Sequence, residues 1–125
     1  MSRVLIVDDE ESMRLLVARA VAMDGHDITT AADGAEALEI LGNTEAPFEL
    51  MLTDIQMPIM DGIALALSAA RDFPSLTILL MTGYAEQRER ASGLSAIAHD
   101  VISKPFSVAD IRTAVADALA SRKAN

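Results

Sequence analysis

Short apolar runs alternate along this chain with stretches of helical spacing, and four of the runs end on a polar group. Val4-Leu5-Ile6-Val7 leads into Asp8-Asp9, and Leu50-Met51-Leu52-Thr53 into Asp54. Ile78-Leu79-Leu80-Met81 leads into Thr82, and Val101-Ile102-Ser103 into Lys104-Pro105. The pattern predicts strands near 3–7, 27–31, 49–53, 76–81 and 100–103. Helices are predicted near 11–23, 35–42, 62–72, 85–92 and 107–120. Strand and helix in strict alternation imply a parallel sheet with right-handed crossovers.

The runs at 3–7, 49–53 and 76–81 are almost continuously apolar, so helices should cover both faces of those strands. In the first helix Met13, Leu16, Val17, Ala20 and Val21 form a stripe that faces a core. In the last helix Val108, Ile111, Val115 and Leu119 do the same after Ser107, an N-cap residue. Gly25 is placed to end the first helix, and Asp33-Gly34 and Asp61-Gly62 read as turns before helices. The expected fold is α/β, a flavodoxin-like (βα)5 three-layer sandwich with a five-stranded parallel sheet in the order 2-1-3-4-5. That order puts strand 2 at an edge, and its end, Thr30-Ala31-Ala32, is the one that adds nothing to the polar set.

The chain has 125 residues, read as one domain over 1–121 and a short polar tail at 122–125. Its 51 % hydrophobic content excludes a disordered chain, and no run is long enough to span a membrane. The net charge of -9 argues against nucleic-acid binding, which needs basic surface. There is no cysteine, hence no disulfide or thiolate chemistry, and a cytoplasmic protein is the simplest expectation.

In an open parallel sheet the polar strand ends meet at one edge, where ligands bind. Asp8, Asp9 and Asp54 would repel one another there unless a hard cation, Mg2+ above all, lay among them. Asp-Asp-Glu-Glu after strand 1 is also the wrong sequence for a flavin or nucleotide phosphate, which needs glycine-rich backbone donors. Asp54 is the candidate nucleophile, able to form an aspartyl-phosphate. Lys104 and the Thr82 hydroxyl are candidates to hold phosphoryl oxygens.

Four strings carry a family resemblance: Val7-Asp8-Asp9-Glu10, Thr53-Asp54-Ile55-Gln56-Met57-Pro58-Ile59-Met60-Asp61-Gly62, Met81-Thr82-Gly83 and Ser103-Lys104-Pro105-Phe106. In this order, each at a strand end, they resemble the CheY-like receiver domains of two-component response regulators over essentially the whole chain. The resemblance implies Asp54 as phosphoacceptor, with Asp8, Asp9, Asp54 and the Gln56 backbone carbonyl around Mg2+. Thr82 and Lys104 match the phosphoryl-sensing pair, and Pro58, Gly62, Pro105 and Phe106 are structural residues near the site. It also implies a cis Lys104–Pro105 bond and, as phosphodonor, a sensor histidine kinase or a phosphotransfer protein. Output would go through a downstream protein, from a monomer or weak dimer.

The chain departs from the family at Val101, where an aromatic ring is usual, and at Gly83, where alanine is common. Tyr84, the sole tyrosine, is a candidate to substitute for the missing ring, and Gln56 and Tyr84 occupy positions that tune dephosphorylation. Leu80-Met81-Thr82-Gly83-Tyr84-Ala85 together with Val101 is similar to CpdR-type single-domain regulators of alphaproteobacteria, which implies a protease-adaptor output. The polar segment Ala85 to His99 predicts a short, exposed and mobile fourth helix.

Plainer readings compete for several residues. Asp8 to Glu11 could only cap the first helix. Asp61 reads as a turn former rather than a ligand, Met51, Met57, Met60 and Met81 as packing, and His26 and His99 as loop residues. A phosphohydrolase with an aspartyl-phosphate intermediate would need a second acid two residues after Asp54, where Gln56 stands. The remaining alternatives are a phosphorylation-independent docking module and a phosphate shuttle.

Overall fold

The computed structural model describes residues 2–83, 89, 93–94 and 96–124. Its strands are β1 (Arg3–Val7), β2 (Asp27–Ala31), β3 (Leu50–Asp54), β4 (Thr77–Thr82) and β5 (Asp100–Ser103). Its helices among the described residues are α1 (Glu11–Ala22), α2 (Gly34–Asn43), α3 (Gly62–Asp72) and α4 (Val108–Ala124). All strands are parallel in the order β2-β1-β3-β4-β5, as expected.

The pleat divides the central strands between two cores. Leu5, Val7, Met51, Ile78 and Leu80 face α2 and α3, where Ala37, Leu41, Leu65, Ala66 and Ala69 meet them. Val4, Ile6, Leu50, Leu52, Leu79 and Met81 face α1 and α4, packing with Val17, Ala20, Val21, Ile111, Val115 and Ala118. Each large aliphatic side chain fully buried here contributes about 1.5–3 kcal/mol before conformational entropy is charged against it.

Local signals set the element ends. Asp33 and Asp61 accept from the amides of Glu36 and Ala64, each at 2.8 Å, and so cap α2 and α3. Ser107 and Asp110 exchange bonds at 3.0 and 2.9 Å, a reciprocal cap on α4. Gly25 takes a φ of 82° in the turn after α1.

Three details differ from expectation. Leu16 is 40 % exposed, because α1 buries the narrower stripe Val17, Ala20, Val21 and leaves Leu16 at its margin. Val108, the first residue of α4, is also partly exposed. The last helix continues past 120 to Ala124, and Arg122 holds Ser75 O and, at 3.0 Å, Thr77 Oγ1. Tyr84 and, apart from residue 89, the helix expected at 85–92 lie outside the described residues, whereas Leu94, Ile97 and Ala98 pack on the α2–α3 core.

Candidate phosphoacceptor and metal site

Strand register builds the site. Val7 lies opposite Thr53, so the next residues, Asp8 and Asp54, emerge side by side. Asp54 lies opposite Met81, which sets Thr82 one step further on, and Thr82 lies opposite Ser103, which sets Lys104 beyond it. Backbone bonds carry the ladder just past the strands: Asp8 N–H to Ala31 O at 3.2 Å, Ile55 N–H to Met81 O at 2.9 Å, and Lys104 N–H to Thr82 O at 2.7 Å. The Lys104–Pro105 bond is cis.

The side chains converge accordingly. Lys104 Nζ lies 3.1 Å from Asp54 Oδ1. Asp8, Asp54 and Thr82 are buried, and Asp9 is exposed at the rim. One carboxylate oxygen from each of Asp8, Asp9 and Asp54 lies within 4.8 Å of the others. Asp8 Oδ1 accepts from the Glu10 amide at 3.0 Å, while Asp8 Oδ2 is buried with no partner among the described residues. An unpaired buried carboxylate oxygen is costly in a metal-free protein. Its place among three acids fits a hard cation such as Mg2+.

Burial pushes the Asp8 carboxyl up to about 6; Asp54 and Asp9 push the same way, while the Glu10 amide and Lys104 oppose it. Burial also raises Asp54, and the hydrogen bond and charge of Lys104 counter that rise.

The β3–α3 loop closes one side. Gln56 and Pro58 are exposed on it, while Met57 is buried and Met60 packs on the α2–α3 core. Gly62 is pressed on the strand end, since a Cβ there would lie 2.1 Å from Asp54 O. Phe106 packs on the α1–α4 core below Lys104 and Pro105, and Val101 packs, half-buried, on the opposite one. Asp61 caps α3, and the two histidines sit in loops, His26 Nδ1 accepting from the Ser2 amide at 3.3 Å. Sequence reasoning overlooked Arg14, whose Nη1 donates to Asp8 O at 2.9 Å. The available signal was a basic residue in the first turn of α1, where the helix dipole favours acids.

Comparison with known proteins agrees with this fold. The family model for the response regulator receiver domain matches residues 4–116, and the chain belongs to that family, the receivers of two-component signalling. Among individual proteins it is similar to the response regulator receiver protein CpdR of Brucella abortus (strain 2308), 39 % identical over 89 % of this chain and 91 % of that protein. It is 31 % identical to the response regulator MprA of Mycobacterium sp. (strain KMS) over 87 % of this chain, but spans only 46 % of MprA. A CheY-like receiver domain protein from Methanospirillum hungatei JF-1 superposes with a TM-score of 0.88 at 28 % identity, over 98 % of this chain and 97 % of that one.

Proposed function

We propose that this chain accepts a phosphoryl group on Asp54 from a phosphohistidine of a sensor kinase or phosphotransfer protein, and that phosphorylation changes its binding to a partner protein. The observation that carries the reading is the buried Asp54 carboxylate, with Lys104 Nζ at 3.1 Å and Asp8 and Asp9 beside it.

An Asp54 oxygen forms the new bond to phosphorus as the donor's P–N bond breaks, its electron pair leaving with the imidazole nitrogen. Lys104 pairs with one phosphoryl oxygen, and the Thr82 hydroxyl donates to another. A Mg2+ bound by Asp8, Asp9, Asp54 and the Gln56 carbonyl would neutralise charge on the phosphoryl group. Gln56 carries no proton-transferring acid, so hydrolysis of the acyl phosphate would be slow and the protein a switch rather than a turnover enzyme. The state in which Thr82 and Lys104 close on the phosphoryl group is favoured by no more than their differential interaction with it. Resemblance to CpdR supports output through protein contact, as in a protease adaptor.

The test is intact mass after incubation with a small phosphodonor and Mg2+. One phosphoryl group is expected on the wild type, with none on Asp54→Ala or without Mg2+. Failure with both a small donor and a histidine-phosphorylated protein would favour a phosphorylation-independent docking module.

A further inference from the structure

We infer that Arg14 is a positioning residue for Asp8, fixing the main chain so that one carboxylate oxygen stays available to a divalent cation. The inference rests on the reading of Asp8 as a metal ligand. β1 ends at Val7, whose ladder neighbours are Ala31 and Thr53, so Asp8 stands where the chain leaves the sheet for α1. Three of its four polar groups are nevertheless held, by three different elements. Its amide donates to Ala31 O of β2 at 3.2 Å. Its carbonyl accepts from Arg14 Nη1 of α1 at 2.9 Å. Its Oδ1 accepts from the amide of Glu10, in the connecting turn, at 3.0 Å. The fourth group, Oδ2, is the one left buried without a partner among the described residues.

Arg14 is half-buried and stands in the first turn of α1, where a positive charge is opposed by the helix dipole. Its bond goes to a main-chain carbonyl, so it leaves the lone pairs of the Asp8 carboxylate free. Two effects of Arg14 on a cation oppose each other. Its charge repels a dication, but beside a partly solvated site an effective dielectric of about 20 reduces that repulsion. Its hydrogen bond fixes the ligand, and loss of such an outer partner typically costs about 10–100-fold in metal affinity. The two effects predict opposite changes in Mg2+ affinity when Arg14 is replaced, and a positioning role requires the affinity to fall.

Calorimetric titration with MgCl2 tests this on the wild type, Arg14→Met, Arg14→Lys and, as a matched exposed arginine of the same helix, Arg19→Met. Arg14→Met is expected to bind Mg2+ about 10-fold more weakly or worse. Arg14→Lys, which keeps a donor for the carbonyl, recovers part of the loss, and Arg19→Met binds as the wild type does. The Asp8 amide resonance should move in Arg14→Met and return towards its wild-type position in Arg14→Lys. Thermal unfolding in EDTA checks that each variant folds, and Arg14→Gln, a donor without the charge, replaces Arg14→Met if that variant does not. Equal affinities in wild type and Arg14→Met overturn the inference alone, and tighter binding by Arg14→Met overturns it in favour of charge repulsion. Absence of Mg2+ binding by the wild type overturns the metal-site reading together with the inference.

Discussion

Lys104 is tied to Thr82 main chain to main chain, its amide donating to the Thr82 carbonyl at 2.7 Å. Its ammonium meanwhile reaches back across β4 to Asp54 Oδ1 at 3.1 Å. One residue thus joins the end of β5 to the ends of β4 and β3, and any group added to Asp54 must rearrange this contact. In Lys104→Met the raising effect of burial on Asp54 loses its main opponent. The Asp54 carboxyl is then expected to titrate at a higher pH than in the wild type, followed by carboxyl 13C NMR without metal. An unchanged midpoint would mean that the ammonium does not hold Asp54 in solution.

Asp8 makes the metal-free protein pH-sensitive in an unusual direction. Its carboxyl moves from an ordinary value of 3.8 to about 6 on folding. Between those values the folded state binds the proton more tightly than the unfolded chain does. The stabilisation is full below about pH 4 and is lost as pH rises through about 6. The loss by pH 7.5 is on the order of 2–3 kcal/mol. Asp8→Asn retains an acceptor for the Glu10 amide and removes the charge. It should melt higher than the wild type at pH 7.5 in EDTA and show a flatter pH profile. Saturating Mg2+ should reverse the order, because the variant lacks the ligand. Thermal unfolding from pH 4.5 to 8 reads both effects, and a wild type that melts higher than Asp8→Asn in EDTA would contradict the argument.

Ile59 sits in the site loop at a φ of 68°, with the Met60 amide donating to Pro58 O at 2.8 Å. This is a γ-turn of the rarer, strained hand, on a β-branched residue. The Ile59 side chain is fully exposed, so packing returns nothing for the strain. Ile59→Gly should raise stability by on the order of 1 kcal/mol, the relief of strain being partly offset by the greater freedom of glycine in the unfolded chain. Urea unfolding measures it, and a lower midpoint would mean that Ile59 is packed in solution.

The fold was legible because the predicted strands 3–7, 27–31 and 100–103 coincide with β1, β2 and β5, and each of the other two strands starts and ends one residue later than predicted. The acidic cluster was legible for the same reason. Once a parallel sheet is inferred, Asp8 and Asp54 must meet at one edge. Leu16 was misread because periodicity marks a broad stripe, whereas α1 buries only its centre. Arg14 was overlooked because its partner is a carbonyl, which no residue type announces. The positive φ of Ile59 was equally hidden, since a β-branched residue is the last that local propensity would put there.

Two glycines at the site should respond in opposite ways to the same added methyl group. At Gly62 a Cβ would lie 2.1 Å from Asp54 O and 2.8 Å from Ile55 Cα. Both are backbone atoms, and the Gly62 amide already donates to Ile55 O at 2.8 Å, so no rotamer change relieves the overlap. The start of α3 must move away from the strand end that carries Asp54. Gly62→Ala is therefore expected to cost at least about 2 kcal/mol of stability and to weaken Mg2+ binding as Asp54 shifts. At Gly83 the nearest atoms to a Cβ among the described residues would be Lys104 Cβ and Cδ, both at 3.8 Å, an ordinary contact with a flexible stem. Gly83→Ala should fold as well as the wild type. Its methyl group would cover one flank of Lys104, and the phosphorylated form should hydrolyse more slowly as water loses that approach. Chemical denaturation of the two variants, with the decay of phosphorylated Gly83→Ala followed by intact mass, gives the comparison. Equal stability loss at the two positions would mean that the α3 start yields freely, and the close approach of Gly62 to Asp54 would then have no part in holding the site.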